Sequence, residues 1–284
     1  MKADRALIHR AAAVLARGPI HTVALAREVL GLTGNPGAAS AAVFTLLGAD
    51  ERFKVDGEGV WSMAGPAPGT PLNQLRYAVV DVETTGGTYT SGHRMTDIAI
   101  YEVRDGVVED EYRSLINPGR HIPRQIEVLT GINNRMVSSA PFFDHIASDV
   151  LERLEGRIFV AHNVRFDWGW VSQQLAEAVG EVPDVERLCT VRMARRLVPR
   201  LRRRNLDALA RHYGIEIEDR HRAHGDALAT ARILVRLLDE ASRQGLADYH
   251  ALNAFLRKRG KRSRPRQGQQ LFFLAPTPDA ENVR

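Results

Sequence analysis

The stretch YAVVDVETTG, residues 77–86, combines a run of apolar and β-branched residues with two acids near its end. The run from Tyr77 to Val82 predicts a buried strand. Successive side chains of a strand point to opposite faces, so Asp81 and Glu83, two positions apart, share one face. Neighbouring carboxylates repel each other unless a cation lies between them, and such oxygen ligands suit Mg²⁺ or Mn²⁺. Taken alone, an acidic pair of this kind is more often a pair of surface charges.

Strands and helices alternate on either side of this stretch. Further strands are predicted at 97–103, 111–116 and 157–161, and a helix begins near Arg165. Later helices are predicted at 191–197, 206–213 and 223–241. This alternation predicts an α/β fold with a mixed sheet, which we assign to residues 75–256 including its C-terminal helices.

A second group of polar residues follows the strand that ends at Ala161, in the sequence AHNVRFD. His162 and Asn163 form the predicted turn, and the next helix carries Phe166 and Asp167. An acid in the first turn of a helix is also favoured by the helix dipole, and Asn163 has the alternative role of a helix cap.

A third group lies in HRAHGDALAT, where His221 precedes a helix and Asp226 lies about one turn into it. This arrangement directs a loop imidazole and a helix carboxylate toward the same point. His224 competes for the same role, but we favour His221 because a loop residue can reach over a metal site. A lone histidine is more often structural than catalytic.

The three groups, in this order, resemble the motifs of the DEDDh 3′–5′ exonucleases, the family of the proofreading subunits of bacterial replicative polymerases. DVETTG resembles the first motif, HNVRFD the second and HRAHGDA the third, and the resemblance covers about residues 75–243. It implies a ribonuclease H-like fold. Asp97 departs from the family, which commonly has Glu at this position.

The resemblance also implies a two-metal hydrolysis that releases nucleoside 5′-monophosphates. Asp81 would bridge two divalent cations, Mg²⁺ or Mn²⁺, Glu83 and Asp226 would complete one site, and Asp167 would support the other. His221 would take the proton from the attacking water. The residues expected to contact the substrate are Thr84, Thr85, His162, Asn163 and Phe166. For the two threonines, the alternative is a turn that only needs Gly86 for its geometry.

Residues 1–64 predict a separate small domain, joined to the rest by a Pro- and Gly-rich linker at 65–74. Three helices, near 4–17, 22–30 and 36–47, precede a hairpin that turns at Asp56-Gly57. This order resembles a winged-helix domain. Its functional interpretation is DNA binding, and the alternative is protein contact or packing.

The C-terminal segment 257–284 is predicted to be disordered and is strongly basic in its first ten residues. These residues carry seven positive charges, more than the net charge of +5 of the whole chain. Such a charge suits contact with a phosphate backbone, and the alternative is a solvated linker. Beyond them, QLFFL resembles the short motif with which bacterial enzymes bind the sliding clamp; its residues are Gln270, Leu271, Phe272, Phe273 and Leu274. The alternative is a segment that packs back on the exonuclease domain.

Composition limits the remaining choices. The 284 residues include one cysteine, Cys189, so an internal disulfide and a cysteine-based zinc cluster are excluded. No stretch suits a signal peptide or a membrane span, and we expect a cytoplasmic protein without membrane contact. The expected partner is a nucleic acid with a 3′ end, with DNA favoured. The alternatives are an exoribonuclease with the same five residues and a catalytically silent binding module.

Six arginines before the third motif would line a groove for the nucleic-acid strand or form an exposed face: Arg195, Arg196, Arg200, Arg202, Arg203 and Arg204.

Overall fold

The computed structural model describes residues 2–257, except 16, 51, 64 and 181. Its N-terminal part has helices α1 (Lys2–Leu15), α2 (Thr22–Leu25) and α3 (Pro36–Leu47), and a π-helical turn (Ala26–Leu30) that continues α2. Three short strands, β1 (Ile20–His21), β2 (Phe53–Val55) and β3 (Val60–Met63), form an antiparallel sheet in the order β1-β3-β2. The helices and the hairpin lie where the sequence predicts them, and their assignment as a winged-helix-like domain stays a prediction.

Local sequence explains where these helices begin and end. The side chain of Asn35 accepts hydrogen bonds from the amides of Gly37 and Ala38, which caps α3 ahead of Pro36. Gly31 ends the preceding helical segment with a φ of 70°, a conformation that costs glycine little. The helices and the sheet close over Trp61, which is buried and donates its indole N–H to Thr22 Oγ1 at 3.0 Å.

The larger part of the chain is built on a five-stranded sheet. Its strands are β4 (Tyr77–Thr84), β5 (Met95–Arg104), β6 (Val107–Leu115), β7 (Ile158–Ala161) and β8 (Arg187–Cys189), in the order β6-β5-β4-β7-β8. β4 pairs antiparallel with β5 and parallel with β7, so the sheet is mixed. The predicted α/β fold with a mixed sheet is therefore confirmed.

Helices cover both faces of this sheet. They are α4 (Arg124–Thr130), α5 (Asn134–Val137), α6 (Phe143–Leu154), α7 (Val164–Val179), α8 (Thr190–Leu197), α9 (Leu206–Tyr213), α10 (Ala223–Arg243) and α11 (Tyr249–Arg257). Tyr77 and Val79 of β4 pack toward α8, α9 and α10, whereas Ala78 and Val80 pack toward α6 and α7. Burial on both faces explains why the strand is a continuous apolar run until its last residues.

The predicted linker 65–74 is only partly a spacer, because its second half belongs to the core of the larger domain. Residues Leu72–Gln74 form a 3-10 turn, Leu72 is buried, and its carbonyl accepts a hydrogen bond from the Tyr77 hydroxyl at 2.6 Å. Residues 72–74 of the predicted linker are therefore packed on the larger domain, and the domain boundary itself stays a prediction. An apolar side chain within a Pro- and Gly-rich stretch found a buried position.

The N-terminal domain contacts the larger domain far from the acidic end of β4. Lys54 forms an ion pair with Asp184, which lies just before the start of β8, and a Cβ on Gly65 would meet the side chain of Glu186. β8 runs parallel to β7 and β4, so this contact is at the end of the sheet where those strands begin.

The predicted disordered segment and clamp motif, residues 258–284, lie outside the described residues. Arg257, predicted as the first residue of that segment, is the last residue of α11. Within the described part of the chain, no helix has the length and apolarity needed to cross a bilayer.

Candidate active site

Three carboxylates meet at the end of β4. Asp81 and Glu83 come from the strand itself, and Asp226 comes from the first turn of α10, which packs on the same face. One oxygen of each lies within 4.8 Å of the others, a spacing that could hold a metal ion. The sequence prediction that the acids of the first and third motifs share one point therefore agrees with the geometry.

Asp167 joins the group from the opposite side of the sheet. It lies in the first turn of α7, is 3% exposed, and its charge acts on Asp81. The backbone amides of Val82 and of Asp167 itself act to lower the pKa of this carboxyl, whereas burial raises it. Asp167 is thus directed at β4 and is not a surface acid placed only by the helix dipole.

The site carries an excess of negative charge, with Asp167 and Asp226 buried and Asp81 and Glu83 half-buried. Burial, followed by the neighbouring acids, raises the pKa of Glu83 to about 8 and the pKa of Asp81 well above its ordinary value. Burial also raises the pKa of Asp167 to about 8 and the pKa of Asp226 above its usual range. Such a group of acids is stable as carboxylates only when cations compensate their charge.

His221 lies in the turn that leads into α10. Its φ is 64° and that of Asp219 is 46°, so two non-glycine residues of this turn are left-handed. Such backbone costs about 1–3 kcal/mol per residue and persists where its surroundings enforce it. Its Nδ1 lies 3.3 Å from Nη1 of Arg220, the same atom that donates to Asp226 Oδ2, so the imidazole lies beside the acidic group.

Gly225 lets this turn lie against the helix. A Cβ at this position would lie 1.9 Å from the carbonyl oxygen of Glu218 and 2.7 Å from that of Asp219. His224, the competing histidine, is directed at the turn and not at the acids, because its Nε2 lies 3.0 Å from Asp219 Oδ2. The choice of His221 over His224 as the catalytic histidine stays a prediction.

Arg220 was not among the residues singled out from the sequence. Its guanidinium lies between Asp207 of α9 and Asp226, donating from Nε to Asp207 Oδ1 at 2.9 Å and from Nη1 to Asp226 Oδ2. The same Nη1 lies 3.3 Å from His221 Nδ1. Its position next to His221 in the third motif was a signal that could have found it, but Asp207 is distant in sequence and only the fold brings it here.

Thr84 and Thr85, at the end of β4, differ in the contacts of their side chains. Thr84 is 8% exposed and its hydroxyl accepts a hydrogen bond from the amide of Gly86. Thr85 is fully buried and its hydroxyl lies 2.9 Å from His93 Nδ1; its expected contact with a substrate stays a prediction. Gly86 has a φ of 85°, which supports the alternative that this turn needs glycine.

The residues of the second motif differ in their exposure to solvent. Phe166 is 44% exposed and its ring packs edge-on against Trp170. Asn163 occupies the cap position of α7, but its side chain makes no capping hydrogen bond and is exposed, so the capping alternative was wrong. His162 is half-buried; its Nδ1 lies 2.8 Å from Thr190 Oγ1, and burial lowers its pKa to about 4.

The arginines before the third motif do not form one surface. Arg196 stacks on Phe255 of α11, and Arg204 donates to the carbonyls of Pro199 and Arg202, so both have structural partners. The expectation that all six line a groove was therefore wrong. The exposed arginines of this group are Arg195, Arg200, Arg202 and Arg203.

The fold and the acidic group define an α/β exonuclease of the ribonuclease H-like type. The RNase_T family model, described as an exonuclease, matches residues 78–234, which is more than half of the chain. The chain therefore belongs to this exonuclease family, and the resemblance to DEDDh exonucleases is confirmed at the level of the family.

Two relatives and one solved structure illustrate the similarity. The "3'-5' exonuclease DinG" of Bacillus subtilis is 36% identical over 169 residues, 60% of this chain and 18% of that protein. The "DNA polymerase III subunit epsilon" of Aquifex aeolicus is 31% identical over 177 residues, 62% of this chain and 87% of that protein. The structure of E. coli exonuclease I with a dT13 oligonucleotide aligns with a TM-score of 0.53 at 18% identity, over 64% of this chain and 46% of that one. The chain spans less than a third of several of its curated relatives.

Proposed function

We propose that this protein is a metal-dependent 3′–5′ exonuclease that releases nucleoside 5′-monophosphates from DNA. The observation that carries this proposal is the approach of Asp81, Glu83 and Asp226 to within 4.8 Å of one another, with Asp167 and His221 beside them. Membership of the exonuclease family supports the same activity.

The residues present fit divalent cations. All the candidate ligand atoms are carboxylate oxygens, which suit Mg²⁺ or Mn²⁺ better than softer metals. Asp226 Oδ1 is buried and makes no hydrogen bond, so it is an acceptor that lacks a partner among the described residues. Asp81, Glu83, Asp167 and Asp226 are the residues that would hold the divalent cations. When bound, such ions supply positive charge to the phosphate oxygens that gain negative charge during hydrolysis.

The protein's own groups supply orientation and proton transfer. His221, in the turn that leads into α10, accepts the proton of the attacking water as the new phosphorus–oxygen bond forms. The bond between phosphorus and the 3′ oxygen of the preceding nucleotide breaks, and that oxygen leaves as the new 3′ end. The terminal nucleotide departs with its phosphate on the 5′ carbon.

The exposed residues around the acids suit a nucleotide chain. Phe166 offers an exposed aromatic ring for a base next to Asp167. We also keep Thr84 and Thr85, which are buried at the end of β4, as residues whose backbone and methyl groups contact the terminal nucleotide. We keep His162 and Asn163 as substrate-contacting residues from the second motif, with the low pKa of His162 favouring a neutral imidazole. The exposed arginines at 195, 200, 202 and 203 provide phosphate contacts farther along the strand.

DNA is favoured over RNA as the substrate. The relatives include a DNA polymerase III subunit, and the exonuclease I structure contains a dT13 oligonucleotide. An exoribonuclease would use the same residues, so the choice depends on contacts to the 2′-hydroxyl. We favour a role in DNA repair or end processing over the main proofreading role, because an additional N-terminal domain precedes the exonuclease domain.

The terminal regions suit attachment to DNA rather than catalysis. The N-terminal domain contacts the end of the sheet opposite the acids, so a DNA-binding role would place it on nucleic acid away from the 3′ end being cut. The segment 270–274 is proposed to bind the sliding clamp, which would raise the local concentration of the enzyme at DNA. Its deletion should abolish co-elution with a bacterial clamp and leave hydrolysis of short oligonucleotides unchanged.

The test is hydrolysis of a 5′-labelled oligonucleotide, as DNA and as RNA, by the full-length protein with Mg²⁺ or Mn²⁺. A ladder that shortens from the 3′ end is expected, with DNA cut faster. Asp81→Ala and His221→Ala should each abolish it, whereas His145→Ala, at an exposed position of α6, should not. Faster cleavage of RNA would favour the exoribonuclease. Binding of either nucleic acid without cleavage would overturn the proposal and favour a silent binding module.

A further inference from the structure

Arg220 occupies one oxygen of a carboxylate that the proposed metal site needs. Its Nη1 donates to Asp226 Oδ2, and Asp226 is one of the three acids that approach within 4.8 Å. The side chain of Asp226 is 7% exposed, so the guanidinium contacts it inside the site and not at the surface. A guanidinium and a divalent cation are both positive and both require the lone pairs of this carboxylate.

Asp207 is a second carboxylate that accepts a hydrogen bond from the guanidinium of Arg220. Arg220 Nε donates to Asp207 Oδ1 at 2.9 Å, and Asp207 lies on α9, outside the acidic group. Loss of the contact with Asp226 would therefore leave Arg220 with a carboxylate partner. Arg220 also holds the pKa of Asp207 below its ordinary range, as expected for a close pair.

The backbone around Arg220 is fixed by its surroundings. Asp219 and His221 on either side are left-handed, and the carbonyl oxygen of Glu218 lies against Gly225 of α10. A shift of the guanidinium can therefore occur by rotation of its side chain, without moving the backbone that orients His221.

From this geometry, and given the metal site of the proposed function, we infer that Arg220 is an internal cation that competes with the divalent metal for Asp226. Metal binding transfers the guanidinium to Asp207 alone. Arg220 is thus a positioning residue that sets the metal concentration at which the site fills. In the absence of metal it compensates part of the buried negative charge.

The test is Mn²⁺ binding to the full-length protein without nucleic acid, measured from the electron paramagnetic resonance signal of free Mn²⁺. Arg220→Gln should lower the Kd for Mn²⁺ at least tenfold, because the competing cation is gone. Arg220→Lys keeps the charge but cannot reach both carboxylates in the same way, and should lower the Kd less. Asp207→Asn should raise the Kd, since the guanidinium then has Asp226 as its remaining carboxylate partner.

Arg165→Gln is the matched control for a general loss of positive charge. Arg165 is exposed and lies two residues before Asp167, and its substitution should change the Kd less than twofold. Thermal unfolding in EDTA verifies that each variant folds. If Arg220→Gln does not fold, the opposite shifts expected for Arg220→Lys and Asp207→Asn decide the question.

Unchanged or weaker Mn²⁺ binding by folded Arg220→Gln would overturn the competition and leave Arg220 with a role in holding Asp226 in place. Equal effects of Arg165→Gln and Arg220→Gln would overturn it as well, because direct contact would then not matter. Absence of Mn²⁺ binding by the wild-type protein is a separate outcome, which would contradict the metal site of the proposed function itself.

Discussion

The carboxylate of Asp97 on β5 forms an ion pair with Arg222, whose Nε lies 3.2 Å from Asp97 Oδ2. The same oxygen accepts a hydrogen bond from the backbone amide of Ala223, the first residue of α10. Arg222 at the cap position makes no side-chain capping bond, so an acid from the sheet acts as the cap. Asp97 also pairs in register with Glu83, which ties the start of α10 to the strand that carries the first two acids.

Asp97→Ala is expected to lower both stability and activity in the presence of Mg²⁺. Loss of the cap and of the partner of Arg222 should cost about 1–3 kcal/mol of unfolding free energy. Displacement of the helix that carries Asp226 should lower kcat by roughly tenfold or more, since small misplacements of reacting groups are costly. Chemical denaturation and single-turnover cleavage measure the two effects.

Asp97→Glu is the matched comparison for the departure from the family pattern. It keeps the charge and should retain more activity than Asp97→Ala. Equal activity of Asp97→Ala and the wild type would show that α10 keeps its place without this contact.

The sequence predicted those parts of the site that depend on local pattern. The alternation of β4 placed Asp81 and Glu83 on one face, and the turn before α10 placed His221 near Asp226; both follow from periods of two and of about 3.6 residues. Arg220 and Asp207 were missed because they meet only after α9 and α10 pack together. Burial of Thr85 was missed because its partner, His93, comes from a loop whose conformation has no simple period.

In the fold, too, the sequence predicted the elements that depend on local pattern and missed those that depend on long-range contacts. Long apolar runs predicted β4, β5 and β7, whereas β8, of three residues, was missed because it is too short to show alternation. Leu72 was assigned to a linker because the surrounding glycines and prolines outweighed one apolar residue. Its burial depends on contacts with residues remote in sequence, which no local pattern contains.

His221→Ala and His224→Ala should differ in their effect on catalysis. Loss of a general base typically costs about 10²–10⁴ in rate, so His221→Ala should reach this range in single-turnover cleavage. It should leave Mn²⁺ affinity within a few fold, because the carboxylates remain. His224→Ala removes only the contact with Asp219 and should lower the rate by less than tenfold.

Asp219→Gly, in which glycine suits the left-handed backbone of this position, serves as the control for this pair. It removes the same contact from the other side and should reproduce the His224→Ala phenotype. A larger rate loss for His224→Ala than for His221→Ala would reverse the assignment of the catalytic histidine.

Gly225→Ala is expected to abolish activity although the substitution is small. Its Cβ would lie 1.9 Å from the Glu218 carbonyl oxygen, so the turn that carries His221 has to move. Because that contact is with backbone, a side-chain rotation cannot relieve it. Cleavage assays and thermal unfolding should both show a loss.

Gly169→Ala is the matched control on a helix of the same site. Gly169 lies within α7, two residues after Asp167, and a Cβ there would meet no atom within 4 Å. The substitution should stabilise the protein by about 0.5–1 kcal/mol and leave cleavage unchanged. Retained activity in Gly225→Ala would contradict the role assigned to the close approach between the turn and α10.

The pKa of Glu83 predicts how stability depends on pH when metal is removed. This pKa is raised to about 8, so the folded protein binds the proton more tightly than the unfolded chain does. The resulting stabilisation is complete below the ordinary carboxyl pKa of about 4.3 and is lost as the pH rises through about 8. In EDTA, the Tm of the wild type should therefore fall between pH 5 and pH 8, and saturating Mg²⁺ should restore much of it at pH 8.

Glu83→Gln isolates this contribution, because the amide cannot ionise. In EDTA its Tm should exceed that of the wild type at pH 8 but not at pH 5, and Mg²⁺ should raise it less. Glu216→Gln, at an exposed position outside the acidic group, should follow the wild type at every pH. A fall in Tm that is equally steep in Glu83→Gln and in the wild type would mean that the proton held by Glu83 does not stabilise the metal-free site.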